Sequence, residues 1–170
     1  MKRSTSKQGA EADATILGSA YRRFGAHVYS LCKWLLGDAL EAEAATVRAF
    51  VGAGRYLAQG GDDSRTYLYL REMAIAGSLT KFLPPAAAAE AVSPAVTETQ
   101  IGALRLPLKP ALLELLIARL PEAERMAYVL HDVEGLSDED VATHLRVSGE
   151  AERRLLSRAR LALRRLWLAQ

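Results

Sequence analysis

The stretch "LRVSGEAERRLLSRARLALRRL", residues 145–166, carries seven arginines and two glutamates. Placed at 100° per residue, it predicts a two-sided helix. Arg153, Arg154, Arg158, Arg160, Arg164 and Arg165, with Ser157, fall on one half of the wheel. Leu155, Leu156, Ala159, Ala162, Leu163 and Leu166 fall on the other. One face is core and the opposite face is a basic stripe. Arg154, Arg158 and Arg165 are expected to lack an acid one turn away to neutralise them. The stripe uses arginine without lysine, and arginine suits bidentate contacts to phosphate and guanine. Glu152 falls within the apolar arc. It is expected to lie in the first turn, where the helix dipole favours an acid, and to reach outward to water.

Upstream, Ser137 precedes Asp138, Glu139 and Asp140, a cap followed by acids in a first turn. Val141 and Leu145 give that short helix an inward face. The turn "RVS" and a second cap at Ser148 follow. Short helix, tight turn and long basic helix have helix-turn-helix spacing, in which the second helix enters the major groove. Further upstream, "ALLELLIARL" after Pro110 and "EAERMAYVLHDV" after Pro121 read as two more helices, the latter closed by Gly135. Residues 111–145 carry net −6 (two Arg, eight acids) and residues 146–170 net +5 (seven Arg, two Glu). The module is electrically polarised, which the whole-chain net charge of +2 conceals.

The front of the chain is a second periodic module. Ile16, Leu17, Ala20, Tyr21, Phe24, Val28, Leu31 and Leu35 recur at helical spacing until Gly37 and Asp38. Ala42, Ala45, Ala49, Phe50, Ala53, Tyr56 and Leu57 line a second helix, and a third begins near Ser64. Residues 1–12 are expected to be a disordered tail, 13–82 a helical domain, 83–110 a Pro/Ala-rich linker and 111–170 the helix-turn-helix domain. The fold class is therefore all-α. The front is a three- to four-helix bundle and the back a helix-turn-helix module.

Composition excludes several classes. A single cysteine, Cys32, rules out an internal disulfide framework and fits a reducing compartment. No apolar run approaches the ~20 residues needed to span a bilayer. A cytoplasmic protein without a membrane partner or small-molecule substrate is expected. His27, His131 and His144 lack metal-ligand spacing with Cys32, and "GAG" at 52–54 lacks the strand that a phosphate loop needs. No enzyme, cofactor or metal is expected.

Two stretches carry a family resemblance. "YRRFGAHVYSLCKWLLGDALEAEAAT", residues 21–46, and "LPEAERMAYVLHDVEGLSDEDVATHLRVS", residues 120–148, continued by "SRARLALRRL", resemble extracytoplasmic-function sigma factors of bacterial RNA polymerase. The resemblance covers about Tyr21–Phe82 (region two) and most of the C-terminal module (region four). It implies promoter DNA and core RNA polymerase as partners, with an anti-sigma factor as a further one. It implies that Arg146, Ser148, Arg153, Arg154, Ser157 and Arg158 face −35 DNA. Tyr67, Tyr69, Arg71 and Lys81 stand where the family handles −10 DNA. Glu43, Thr46, Val47, Arg48 and Phe50 stand where it binds polymerase or a partner.

The chain departs from the family at several of these places. Ala44, Val47 and Arg48 replace an acid, a glutamine and a glutamate. Leu70, Met73 and Ala74 replace basic and asparagine positions, and Arg146 stands where the turn usually has glycine. "TVRAF" and "AERRLLSRAR" are also similar to the sigma-like domains of general-stress response regulators, which sequester an anti-sigma protein. A free-standing helix-turn-helix regulator is the third expectation.

Overall fold

The computed structural model describes residues 4–59, 63–82 and 110–169, with side chains over 15–59, 64–82 and 111–169. All regular structure among these residues is helical. The chain divides into two compact units, Met1–Thr80 and Lys81–Gln170. Apart from Pro110, the linker expected over 83–110 lies outside the described residues.

The first unit holds α1 (Ser4–Leu36), α2 (Ala39–Ala58) and α3 (Asp63–Ser78). The tail expected over 1–12 is helical from Ser4 onward, and α1 begins nine residues before Asp13. Ala10, Ala12 and Ala14 are strong helix formers, so the local preference continues past the amphipathic part. Gly37 closes α1 at φ 72°, a left-handed conformation that glycine adopts without strain. Asp38 then caps α2 by accepting the Glu41 amide at 2.8 Å. Val28, Leu31, Cys32 and Leu35 of α1 bury against Ala42, Ala45, Ala49 and Ala53 of α2 and Leu70, Ala74 and Ile75 of α3. The alanine row on α2 lets the helices approach closely. Cys32 is a core residue, as its apolar helix suggests, and burial pushes its thiol up.

The second unit holds α4 (Pro110–Ala118), α5 (Glu122–Tyr128), α6 (Asp138–Leu145) and α7 (Gly149–Leu168). One π turn, Val129–Val133, continues α5, and Gly135 ends the segment at φ 70°. Both expected serine caps form. Ser137 accepts from the Asp140 amide and Ser148 from the Ala151 amide, each at 3.2 Å. The caps satisfy amides that a helix start leaves open and fix where α6 and α7 begin. Leu116, Ile117, Met126, Leu130, Leu145, Leu155, Leu156 and Leu163 form one core. Each fully buried large side chain contributes about 1.5–3 kcal/mol. Arg125 is also buried and donates to the Leu120 carbonyl at 3.2 Å, tying α5 to the end of the preceding turn.

Candidate nucleic-acid interface

The candidate interface is built on α6, the turn Arg146–Ser148 and α7. Arg146 ends α6 in the left-handed conformation, φ 55° and ψ 41°. It is the sole non-glycine residue with positive φ among those described. Its amide and that of Val147 bond back to Thr143 and Ala142 at 3.2 and 3.0 Å, so the helix end is satisfied despite the conformation. The turn leaves the Arg146 side chain exposed.

Along α7, Arg153, Arg164 and Arg165 are exposed, while Arg154, Ser157 and Arg158 are half-buried. Ser148 is exposed at the start of the helix, but its hydroxyl serves as the cap. A phosphate there would meet the helix start, a favourable place for an anion.

On α7, Arg154 and Arg160 are engaged by acids of the same unit. Arg154 donates to Glu150 one turn earlier, which corrects the expectation that it has no acid at that spacing. Glu150 stands four residues before Arg154 in the sequence itself, the favourable order for such a pair. Arg160 donates twice to Asp132, at 2.9 and 2.6 Å, across 28 positions of the chain. Arg160 is therefore held in a clamp from α7 to the π turn. The stripe divides into two edges, Arg153 with Arg164 and Arg154 with Arg158 and Arg165. Leu161 lies between them on the wheel, half-buried.

Glu152 also departs from expectation. Its side chain is 0 % exposed, and neither carboxylate oxygen has a hydrogen-bond partner. It does not reach outward. At 260° from Arg153 it points into the apolar arc, and packing against the rest of the unit closes over it. Burial pushes its carboxyl up, with Asp138 adding to the effect and His131, Arg153 and Arg160 opposing it.

Nearby, His131 contacts Asp132 through Nδ1 at 2.8 Å and Asp138 through Nε2 at 3.0 Å. Burial alone would raise the Asp132 carboxyl. The bonds from Arg160 and His131 outweigh it and hold the group below the usual carboxylate range.

On α3 and just beyond its end, the candidate residues separate onto different surfaces. Tyr67 packs beside Phe24 and His27, with ring centroids at 6.1 and 6.3 Å. Tyr69 stacks on Tyr56 at 4.4 Å and 12°. As the two-residue spacing requires, they do not share a helix face. Arg71 is half-buried, donates to Glu72 at 3.2 Å, and keeps its Nε buried without a partner. Lys81 is exposed beyond the end of α3.

Thr46 and Phe50 are not surface residues. They are 2 % and 3 % exposed. Thr46 donates to the Ala42 carbonyl at 2.7 Å, and Phe50 packs edge-on against Tyr21 at 5.1 Å. Both lie on the core side of α2 with Ala42, Ala49 and Ala53, where they pack the helix rather than line its exposed side. Glu43, Val47 and Arg48 lie on its exposed side.

A comparison with known families bears on this geometry. Residues 111–163 match the family model for sigma-70, region 4. The match runs from α4 through most of α7 and so takes in the helix-turn-helix, its caps and the arginines up to Arg160. It supports a sigma-type, DNA-binding helix-turn-helix role for this unit. No curated protein matches the chain. Among the described residues, no helix is long and apolar enough to cross a membrane.

Proposed function

We propose that the chain is an RNA polymerase sigma factor of the extracytoplasmic-function type. In this reading the second unit reads −35 promoter DNA, and the first engages −10 DNA and core polymerase. The observation that carries it is α7: a capped recognition helix within a region 4 match, presenting Arg153, Arg164 and Arg165 to solvent. Arg146, Ser148, Arg153, Ser157 and Arg158 are the proposed −35 contacts, with Arg154 exchanging Glu150 for phosphate. Tyr67, Tyr69, Arg71 and Lys81 are the proposed −10 contacts. The polymerase contact on α2 narrows to Glu43, Val47 and Arg48, because Thr46 and Phe50 are buried.

A second reading has one observation in its favour. Internal acids engage Arg154 and Arg160, which thins the cationic face. A sigma mimic that binds an anti-sigma factor has no need of that face.

The deciding experiment mixes the purified chain with core RNA polymerase and assays co-elution and promoter-dependent transcription. Co-elution with specific initiation supports the sigma factor. Absence of polymerase binding at micromolar concentration, with capture of an anti-sigma factor, supports the mimic.

A further inference from the structure

The exposed side of α2 is apolar where a solvated helix face is ordinarily charged. Leu40, Val47 and Val51 are 77 %, 56 % and 67 % exposed, and Ala44 lies exposed among them. These four residues are spaced 4, 3 and 4 apart and fall within about 60° of the helix wheel. They form one straight stripe along a helix whose opposite side is already buried in the first unit's core.

The stripe is symmetric about its own midpoint. Its centre lies between Ala45 and Thr46. An antiparallel copy about a two-fold axis at that point sets Leu40 opposite Val51 and Ala44 opposite Val47. A small residue thus faces a branched one at the centre, which lets two helices approach closely.

The charged edges agree with this arrangement. Antiparallel pairing brings like edges together. Glu41 and Arg48 lie on the same edge, about 90° and 70° from the stripe's midline. In the pair, Glu41 of each copy comes within about 3 Å, along the axis, of the level of Arg48 in the other. That arrangement would place two such ion pairs, one at each end of the contact. On the other edge the Glu43 carboxylates stand five residues apart in level, about 7.5 Å, so repulsion there is small. A parallel two-fold pair would instead turn the Glu41 edge of each copy against the Glu43 edge of the other, setting those carboxylates at levels about 3 Å apart.

We propose that α2 pairs antiparallel with α2 of a second copy of this chain. The stripe is self-complementary in shape and charge, as a two-fold interface requires. One helix pair falls in the small-interface class, below about 1,200 Å² in total, so the association is weak and concentration-dependent. The proposal stands apart from promoter recognition, which rests on α7, but shares Val47 and Arg48 with the proposed polymerase contact, so the dimer would hold that contact covered and polymerase would compete with the second copy.

Sedimentation velocity of the full chain across about 1–300 µM tests it, a range suited to small interfaces. A monomer–dimer equilibrium is expected, and Val47→Glu is expected to abolish it. The substituted position is exposed, so an unchanged helical circular dichroism spectrum confirms that the fold survives. Arg48→Glu should weaken the dimer several-fold, and adding Glu41→Arg should restore it.

Register is tested by oxidation of single-cysteine variants in a Cys32→Ser background. Val47→Cys places the two sulfurs at levels about 4.5 Å apart and should cross-link. Leu40→Cys places them about 16 Å apart and should not. A chain that stays monomeric throughout, a dimer untouched by Val47→Glu, or cross-linking through position 40 overturns the proposal. A monomer whose core-polymerase binding is lost in Val47→Glu would assign the stripe to polymerase instead.

Discussion

Arg160 and Asp132 are joined by two hydrogen bonds, Nε to Oδ2 at 2.9 Å and Nη2 to Oδ1 at 2.6 Å. The pair fastens the middle of α7 to the π turn that ends α5. Planar, two-point contacts of this kind hold orientation better than a single ion pair. Asp132→Asn keeps the shape but loses the charge. It should lower the second unit's stability by about 1 kcal/mol, the upper end for pairs near the surface. Hydrogen exchange of the α5 and α7 amides reads this within the full chain. Unchanged protection would mean that the clamp contributes nothing.

The same pair sets a pH dependence. The Asp132 carboxyl is held below its ordinary value. Its contribution is therefore present above the unfolded value of 3.8 and is lost as pH falls through the lower, folded one. Acid unfolding of the second unit should begin at higher pH in Arg160→Ala than in the parent chain. A shift in the opposite direction would contradict the assignment.

Glu152 has the opposite sign. Its carboxyl is raised by burial, so the folded unit prefers it protonated. Stability from this group is present below the unfolded value of 4.5 and declines as pH rises toward the folded one. Glu152→Gln should flatten that decline. Glu152→Leu, which extends the apolar arc, should stabilise the unit at neutral pH by about 1–3 kcal/mol. Denaturant midpoints of the three proteins at pH 4 and pH 7 test both statements. A destabilised leucine variant would mean that Glu152 has a partner in solution.

Arg146 predicts a separation of stability from binding. A non-glycine residue at φ 55° costs roughly 1–2 kcal/mol relative to glycine. Arg146→Gly should raise the melting temperature of the second unit. It should also lower DNA affinity, because a cation leaves the turn. If both quantities fall together, the left-handed turn is not where the strain resides.

How much of this could be read from the chain follows from the range of each interaction. The serine caps at Ser137 and Ser148 and the glycine stop at Gly135 depend on residues within one turn, and all three were legible. The Glu150–Arg154 pair is legible for the same reason, since the two stand four residues apart. The Arg160–Asp132 clamp was not. It joins residues 28 positions apart, one of them in a π turn that a wheel drawn at 3.6 residues per turn misplaces. Glu152 lay in the apolar arc on the wheel, but its burial depends on how tightly the other helices close over it. Thr46 and Phe50 stand where the family resemblance implies a partner contact. Their helical spacing from Ala42, Ala49, Ala53 and Leu57 places them in the core, and that periodicity was the better guide.

Arg153 and Arg160 together test the DNA face. They lie about 20° apart on the wheel, yet one is exposed and the other is held by Asp132. Arg153→Ala should weaken promoter binding by about 1–3 kcal/mol if the side chain reads a base. If it meets phosphate, it should weaken all sequences alike and reduce the salt slope by about one unit. Arg160→Ala should change stability more than affinity, and its salt slope should match the parent's. Fluorescence anisotropy on a −35 duplex from 50 to 200 mM salt separates these cases. If the two substitutions have equal effects on affinity, the clamp opens on binding and Arg160 joins the interface. If neither has any, α7 is not the reading helix.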